Sequence, residues 1–268
     1  MVNRKQIFTI VSIIVFVVLV GVGVYFYEGV GMRNSHYIKL DLGPSVEFLT
    51  DSDNIINTVY PCNEDAKIVI AGENFKDLDI KEAVNKFLLL CVKTGYIDVT
   101  KSDNAVQISV SSGFTQVLEN KIYATCNKFF QDNEIYAVIA ESDADLALFR
   151  QKKEKHVMSI EKLVIINSIL EKTNEYNFEQ LNKKNESELI DLLEDLHAMN
   201  NNDILLEQYG SQKNNLIEEN FDKFNAHLSA ITNESKREFN SKYDKYKKKE
   251  TNKYESDFAK ALEEKKQN

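Results

Sequence analysis

One short segment combines residue types that could act on the chain's own backbone. Asp41 is followed by Gly43, Pro44 and Ser45, so that a hydroxyl group follows a proline carbonyl. The chemistry that this order would allow is attack of the Ser45 hydroxyl on the Pro44 carbonyl. Gly-Pro-Ser is more typical of a turn, or of a kink that leads into a strand. We therefore interpret the segment as a turn.

The other side chains that commonly carry catalysis are few and scattered. The four histidines are far apart and lack metal-ligand spacing: His36, His156, His197 and His227. No glycine-rich phosphate loop and no motif around a nucleophile is present. Acidic pairs occur at every spacing, so none of them stands out as a catalytic pair. The sequence predicts a protein that is not an enzyme and that uses no cofactor and no metal.

The three cysteines, Cys62, Cys91 and Cys126, are too few and too unevenly spaced for a disulfide scaffold. At most one bridge could form. Cys91 lies in a Leu-rich helical stretch and Cys126 lies between Tyr123 and Phe129. We expect both of them to be buried as small apolar residues.

The Gly-Pro-Ser turn lies between two predicted strands of an α+β domain. Alternating or β-branched apolar residues predict five strands, at Tyr37–Leu42, Ser45–Leu49, Ile55–Tyr60, Ala105–Val110 and Ile135–Ala140. Asp79 and Glu82 predict the start of a helix that Gly95 ends. A second helix is predicted over residues 114–131. The domain is therefore predicted to contain a small sheet with packed helices.

Further helices are predicted beyond the sheet. Residues 143–156 form a charged helix, Ser159 caps an apolar helix over residues 160–170, and Asn185 with Glu188 begins another. These helices need a surface to pack against, so we expect them to belong to the domain core. The domain is predicted to span residues 36–200.

An uncharged, strongly apolar run at residues 7–27 predicts one transmembrane helix. A bilayer core of about 30 Å requires about 20 apolar residues in a helix. The alternative is a cleaved signal peptide, but the bulky Tyr25-Phe26-Tyr27 argues against cleavage. Arg4 and Lys5 predict that residues 1–6 are cytoplasmic, so that everything from about Glu28 onward lies outside the cell membrane.

Residues 203–268 are predicted to form a charged helical tail. Its early apolar residues follow coiled-coil spacing and its later ones do not, so a coiled coil and a pair of helices broken near Thr232–Ser235 are both open. The apolar stripe is narrow, and we expect the tail to add little to the core and to allow self-association.

The charges argue against a nucleic-acid partner. The formal net charge is −9, so phosphate contacts would have to come from a local basic patch. One basic run does occur in the tail, at Lys236, Arg237, Lys242, Lys245, Lys247, Lys248, Lys249 and Lys253. An anionic lipid or polymer outside the membrane would suit it, although such a run is usually a solvated helix face.

The middle of the chain resembles the extracytoplasmic domain of RsgI-like anti-sigma factors. The resemblance covers residues 36–195 and runs through several segments in order: Tyr37–Phe48, Val59–Ala66, Gly72–Phe75, Glu82–Val84, Thr94–Ile97, Val106–Ser112 and Met158–Leu163. It implies an α+β domain and a regulatory function.

Two departures from this family limit what the resemblance implies. The family has a cytoplasmic domain before its membrane helix that grips the sigma factor. Here residues 1–6 stand in that place, too few to bury the roughly 800 Å² per partner of a stable interface. We therefore expect no direct sigma-factor binding.

The second departure is in the self-cleavage motif, where the family has Asp-x-Asn-Pro-Ser and breaks between Asn and Pro. The matching residues are Asp41, Gly43, Pro44 and Ser45. Gly43 has no side-chain amide to attack or polarise the peptide bond, and it relaxes backbone strain before the proline. We expect no cleavage.

Two classes of function follow. In the first, the protein is a membrane-anchored extracytoplasmic sensor or regulator that works with another membrane or envelope protein. In the second, it is a structural or surface-interaction protein that uses its tail as a spacer or oligomerisation element.

Overall fold

Alternating apolar residues build a five-stranded sheet, as the sequence predicts. The strands are β1 (His36–Asp41), β2 (Ser45–Thr50), β3 (Ile56–Pro61), β4 (Asn104–Ser111) and β5 (Ala137–Glu141). Their order in the sheet is β3-β2-β1-β4-β5. The first three pairings are antiparallel and β4 pairs with β5 in parallel. The expected α+β class is confirmed.

The computed structural model describes residues 36–111, 115–141, 160–200 and 206–267. The predicted membrane helix at 7–27 and the predicted charged helix at 143–156 lie outside these ranges. Inside them, no helix is both long and apolar enough to cross a bilayer. The described helices are α1 (Glu64–Ile70), α2 (Ile80–Lys93), α3 (Thr115–Asp132), α4 (Ile160–Lys172), α5 (Phe178–Asn182), α6 (Glu186–Asn200), α7 (Leu206–Ala230) and α8 (Asn233–Gln267).

Side-chain caps fix where several helices begin. The predicted cap Asp79 accepts a 2.8 Å hydrogen bond from the Lys81 backbone N–H. Asn185 accepts from the Glu188 N–H at 2.9 Å, and Glu188 accepts from the Asn185 N–H at 2.7 Å. Each bond satisfies a backbone donor that the first helical turn leaves open. Both predicted helix starts are confirmed.

The sheet is covered on both faces because successive side chains of a strand point to opposite sides. One face carries the larger core, in which Ile38 and Phe48 pack with α2 and α3. The other face carries Tyr37, Glu47 and Leu49, on which α4 and α6 lie. We call residues 160–200, which contain α4, α5 and α6, the helical layer. Apolar residues dominate its contact with the sheet, among them Ile165, Ile166, Ile169, Leu189, Ile190 and Leu193.

The C-terminal helices break where the sequence predicts, at residues 231–232, but they are not a separate rod. Phe239 and Tyr243 of α8 are buried in the larger core, and Phe224 of α7 packs against it. The expectation that this segment adds little to the core is therefore wrong, and the described helices do not support a coiled coil. The physical reason is that the aromatic stripe of α8 faces β5 and α3 of the same chain.

Polar contacts also tie α7 to the domain. The Lys213 ammonium is buried and donates to the Ala71 carbonyl oxygen at 3.0 Å and to the Glu73 carboxylate at 2.6 Å. His227 contacts the Asn133 carbonyl oxygen at 2.6 Å through Nε2. The described residues accordingly belong to one compact unit.

Candidate functional site

The predicted Gly-Pro-Ser segment forms the tight turn that joins β1 to β2. Gly43 has φ of +93°, a left-handed conformation that glycine adopts without steric cost. Its N–H donates to the Asp41 carboxylate at 3.0 Å, and the Leu42 N–H donates to the Pro44 carbonyl oxygen at 3.1 Å. The structure thus brings Asp41, Gly43, Pro44 and Ser45 together in one turn.

Asn63, which the sequence analysis did not single out, holds this turn against α1. Its side-chain amide donates to the Gly43 carbonyl oxygen at 2.6 Å. Its side-chain oxygen accepts from the Ser45 N–H at 3.2 Å and, as the N-cap of α1, from the Ala66 N–H at 2.9 Å. The carbonyl of the Gly43–Pro44 bond therefore receives a side-chain donor, which is the chemistry of an oxyanion site. An Asn followed by two acidic residues is a helix-start signal that could have revealed it.

Within the described part of the chain, the thiol beside Ser45 does not act as a base for its hydroxyl group. The Ser45 side chain is buried next to the Cys62 thiol. The neighbouring residue Cys62 donates its backbone N–H to the Ser45 carbonyl oxygen at 2.8 Å. Burial and the charge of Glu47 raise the pKa of the Cys62 thiol to about 12, so this thiol stays protonated. The geometry favours a turn over nucleophilic attack.

A polar groove of about 370 Å³ opens beside the turn. The residues that line it include Asp41, Gly43, Tyr96, Asp98 and Asn104. Although burial opposes ionisation of Asp98, the hydrogen bond from Lys223 lowers the pKa of this carboxyl to about 2. Within the described ranges, no three His, Cys, Asp or Glu side chains converge as a metal site.

A second polar centre lies under the helical layer, around the fully buried carboxylate of Glu47. Tyr37 and Ser168 donate hydroxyl hydrogen bonds to Oε1, at 3.0 and 2.7 Å. Lys172 Nζ lies 2.9 Å from Oε2, and His197 Nε2 lies 3.2 Å from the same oxygen. We call these five residues the Glu47 cluster. It joins two strands of the sheet to α4 and α6.

The electrostatics of the Glu47 cluster keep the carboxylate ionised. Burial alone would raise the pKa of Glu47, but the bonds from His197, Lys172 and Ser168 prevail and hold this pKa far below its usual range. Burial and the nearby Glu47 charge raise the pKa of Tyr37 well above its usual value. Burial lowers the pKa of His197, and the hydrogen bond to Glu47 only partly opposes this. The cluster therefore holds one anion, one ammonium and a neutral imidazole.

Sequence spacing could not reveal this cluster, because its members come from opposite ends of the domain. Glu47 and His197 are 150 positions apart. The four histidines do not converge: His197 joins the Glu47 cluster, His227 lies on α7, His36 begins β1 on the opposite face of the sheet, and His156 is outside the described ranges. Cys91 and Cys126 are buried in the larger core, as predicted.

The basic run of α8 divides between the domain and the solvent. Lys247 donates to the Asn127 side-chain oxygen at 2.8 Å, and its ammonium lies over the rings of Tyr123 and Tyr243. Arg237, Lys245, Lys248 and Lys249 are exposed. An anionic partner for these exposed residues stays a prediction.

Comparison with known proteins extends the resemblance found in the sequence. The chain is 33% identical over 67 residues to anti-sigma-I factor RsgI3 of Acetivibrio thermocellus, covering 25% of this chain and 10% of that protein. It is 27% identical over 97 residues to RsgI4 of the same organism, covering 35% and 19%. It is 23% identical over 170 residues to RsgI7, covering 62% and 31%. The chain thus spans less than a third of the length of these curated relatives.

A family model described as the anti-sigma factor RsgI-like central domain matches residues 35–168. The match includes all five strands, the β1–β2 turn and Asn63, and it ends inside α4. It covers half of the chain, and the protein therefore belongs to the RsgI-like anti-sigma factor family through this central domain.

Proposed function

We propose that residues 36–267 are the extracytoplasmic regulatory part of a membrane-anchored protein that signals by contact along an uncut chain. Family membership supports the regulatory class. The apolar run at residues 7–27 and the positive charges of Arg4 and Lys5 support the anchor and its orientation. A domain outside the membrane cannot reach a cytoplasmic sigma factor, so its direct partner is another membrane or envelope protein.

The observation that carries the proposal of an uncut chain is the environment of Gly43. The family's Asn side chain is missing there, and glycine adopts the required left-handed conformation without strain. The Asn63 amide does contact the Gly43 carbonyl oxygen, but a donor alone supplies no nucleophile. The chain therefore stays continuous between β1 and β2, so β1 links the membrane segment covalently to the rest of the domain.

The alternative function, a spacer or oligomerisation rod, receives less support from the described helices. A spacer would have to stand clear of the domain, whereas Tyr243 is fully buried and Lys213 is bonded to the loop after α1. Residues 206–250 are better explained as an integral part of the folded domain.

Membrane topology tests the anchor and the orientation directly. A chain with different epitopes at its two ends is produced in intact cells, which are converted to protoplasts and treated with protease. We expect loss of the C-terminal epitope and protection of the N-terminal one. A cytoplasmic protein in the same protoplasts is the control for lysis. A C-terminal epitope that survives in intact protoplasts, and is digested after lysis, would contradict the proposal.

A further inference from the structure

We propose that the helical layer, residues 160–200, is a latch that acid releases from the sheet, with His197 as the group that takes up the proton. The proposal goes beyond the regulatory function proposed above and does not depend on the anchor. It is carried by the geometry of the Glu47 cluster, which is a buried polar connection between this layer and the sheet.

Three side chains of the layer reach one buried carboxylate of the sheet. Ser168 and Lys172 reach Glu47 from α4, and His197 reaches it from α6. Lys172 also donates to the Ser168 hydroxyl at 2.8 Å, which connects the two donors of α4. Helices α4 and α6 therefore share the Glu47 carboxylate as an acceptor. A change of charge at this cluster acts on both helices.

The hydrogen-bond pattern fixes the tautomer of His197. Oε2 of Glu47 is an acceptor, so Nε2 carries the hydrogen atom and Nδ1 is bare. Nδ1 is buried and has no partner among the described residues. A second proton on the ring would therefore sit on a buried N–H with no acceptor among the described residues, which is unfavourable.

Of the charged groups that face His197, Glu47 would favour an added positive charge on the ring and Lys172 would oppose it. Tyr60 of β3 stacks on the imidazole ring, with centroids 4.3 Å apart, and Lys172 lies 4.6 Å from the centroid of Tyr60. Tyr37, Tyr60 and Cys62 are neutral because burial raises their pKa values. The charges of Glu47 and Lys172 cancel, so protonation of His197 would leave one net positive charge in a buried site.

Detachment of the layer removes this penalty. Burial lowers the pKa of His197 in the docked layer, whereas an exposed histidine titrates near 6.5. The detached form therefore binds more protons as pH falls below about 6.5. For one proton, the ratio of detached to docked molecules rises by up to tenfold per pH unit until the docked form also protonates. The docked form is therefore most favoured at neutral and alkaline pH and loses population in acid.

The two apolar clusters provide internal reporters for this opening. Ile165, Ile166, Ile169 and Ile190 are buried between the layer and the sheet, whereas Ile38 and Ile122 are buried in the larger core on the opposite face. The full chain in detergent, with methyl-labelled isoleucine, is followed by NMR from pH 8 to pH 5. Below pH 6.5 we expect a second, reversible set of layer methyl signals to gain intensity relative to the docked set by up to tenfold per pH unit, while the core methyl signals keep their positions.

Variants assign the effect to His197. Gln at position 197 keeps an N–H that can donate to Glu47 and does not titrate, so H197Q should keep the docked methyl signals down to pH 5. H227Q removes another histidine that contacts a backbone carbonyl oxygen and should respond to acid as the unmodified protein does. In the unmodified protein, the His197 ring itself should be neutral in the docked set and protonated in the second set.

Three results would overturn the latch. In the first, the layer methyl signals stay unchanged down to pH 5. In the second, H197Q responds to acid as the unmodified protein does. In the third, the methyl signals of both clusters are lost together, which indicates global unfolding. If H197Q does not fold, titration of the His197 ring in the unmodified protein still tests the proposal. A protonated His197 ring in the docked set of signals would contradict the mechanism.

Discussion

At the residue scale, Glu47 shows how a charged side chain can be placed inside this domain. Its carboxylate has no solvent exposure, yet four side chains from three further elements satisfy its two oxygens. A buried charge is tolerated when it is paired and hydrogen-bonded, and it becomes costly when one partner is lost. The cluster should therefore respond strongly to removal of a single member.

Lys172→Met tests this dependence, since methionine keeps most of the volume of the side chain and removes its charge. We expect a loss of about 3–5 kcal/mol in the free energy of unfolding at pH 7.5, measured by urea denaturation, because Glu47 would keep its charge in a buried site. Lys128→Met is the matched control. Lys128 pairs with Asp132, but their side chains are 74% and 54% exposed, so its loss should be below about 1 kcal/mol. Equal effects of the two substitutions would refute the special role of the cluster.

The ion pair between Glu47 and Lys172 should also make the free energy of unfolding depend on pH. Hydrogen bonds and Lys172 hold the pKa of Glu47 below its unfolded value near 4.5. The stabilisation is therefore complete above about pH 4.5 and declines as pH falls below it. The difference in the free energy of unfolding between the unmodified protein and Lys172→Met, measured by urea denaturation, should therefore shrink as pH falls below about 4.5.

Contacts between residues that are close in the chain could be predicted from the sequence, whereas contacts between distant residues could not. Asp41, Gly43, Pro44 and Ser45 are consecutive or nearly so, and turn chemistry alone indicated their arrangement. The bonds from Asn63 to the turn and from His197 to Glu47 are made by tertiary packing, across 20 and 150 positions. No local pattern encodes such a distance.

At the element scale, strand alternation and cap residues were reliable, while short helices and the tail were not. β1, β2, β3 and α2 lie within one or two residues of their predicted bounds. α1 and α5 have only 7 and 5 residues, too short for a helical period to be visible. The prediction that the tail is separable is wrong because a narrow aromatic stripe can pack either on a second chain or on the domain itself. The sequence does not indicate which of these two surfaces it contacts.

The packing of α8 predicts that one aromatic residue in it is critical. Tyr243→Ala should lower the free energy of unfolding by about 3–5 kcal/mol, because it removes a fully buried ring that stacks on Phe239 and leaves a cavity. Phe221→Ala in α7 is the control, since that ring is 58% exposed and its removal should cost below about 1 kcal/mol. Thermal or urea denaturation measures both. A Tyr243→Ala protein as stable as the control would restore the view of the tail as a separable rod.

At the scale of the whole molecule, the sheet connects the features that bear on regulation. β2 begins at Ser45 in the turn and carries Glu47 two residues later, so the turn and the latch share one strand. Helices cover both faces of the sheet, and α7 and α8 close one side of the same compact unit. The helical layer therefore packs on the same hydrogen-bonded sheet that contains β1 and the turn.

This domain is proposed to work as an uncut chain, and the intact mass of the purified protein shows whether the chain is cut. Denaturing mass spectrometry should give one species with the mass of the whole chain, because Gly43 supplies no side chain to cleave the bond before Pro44. Gly43→Asn, which restores the family's residue at the turn, gives the comparison under the same conditions. Two fragments from the unmodified protein, meeting between residues 43 and 44, would contradict the account.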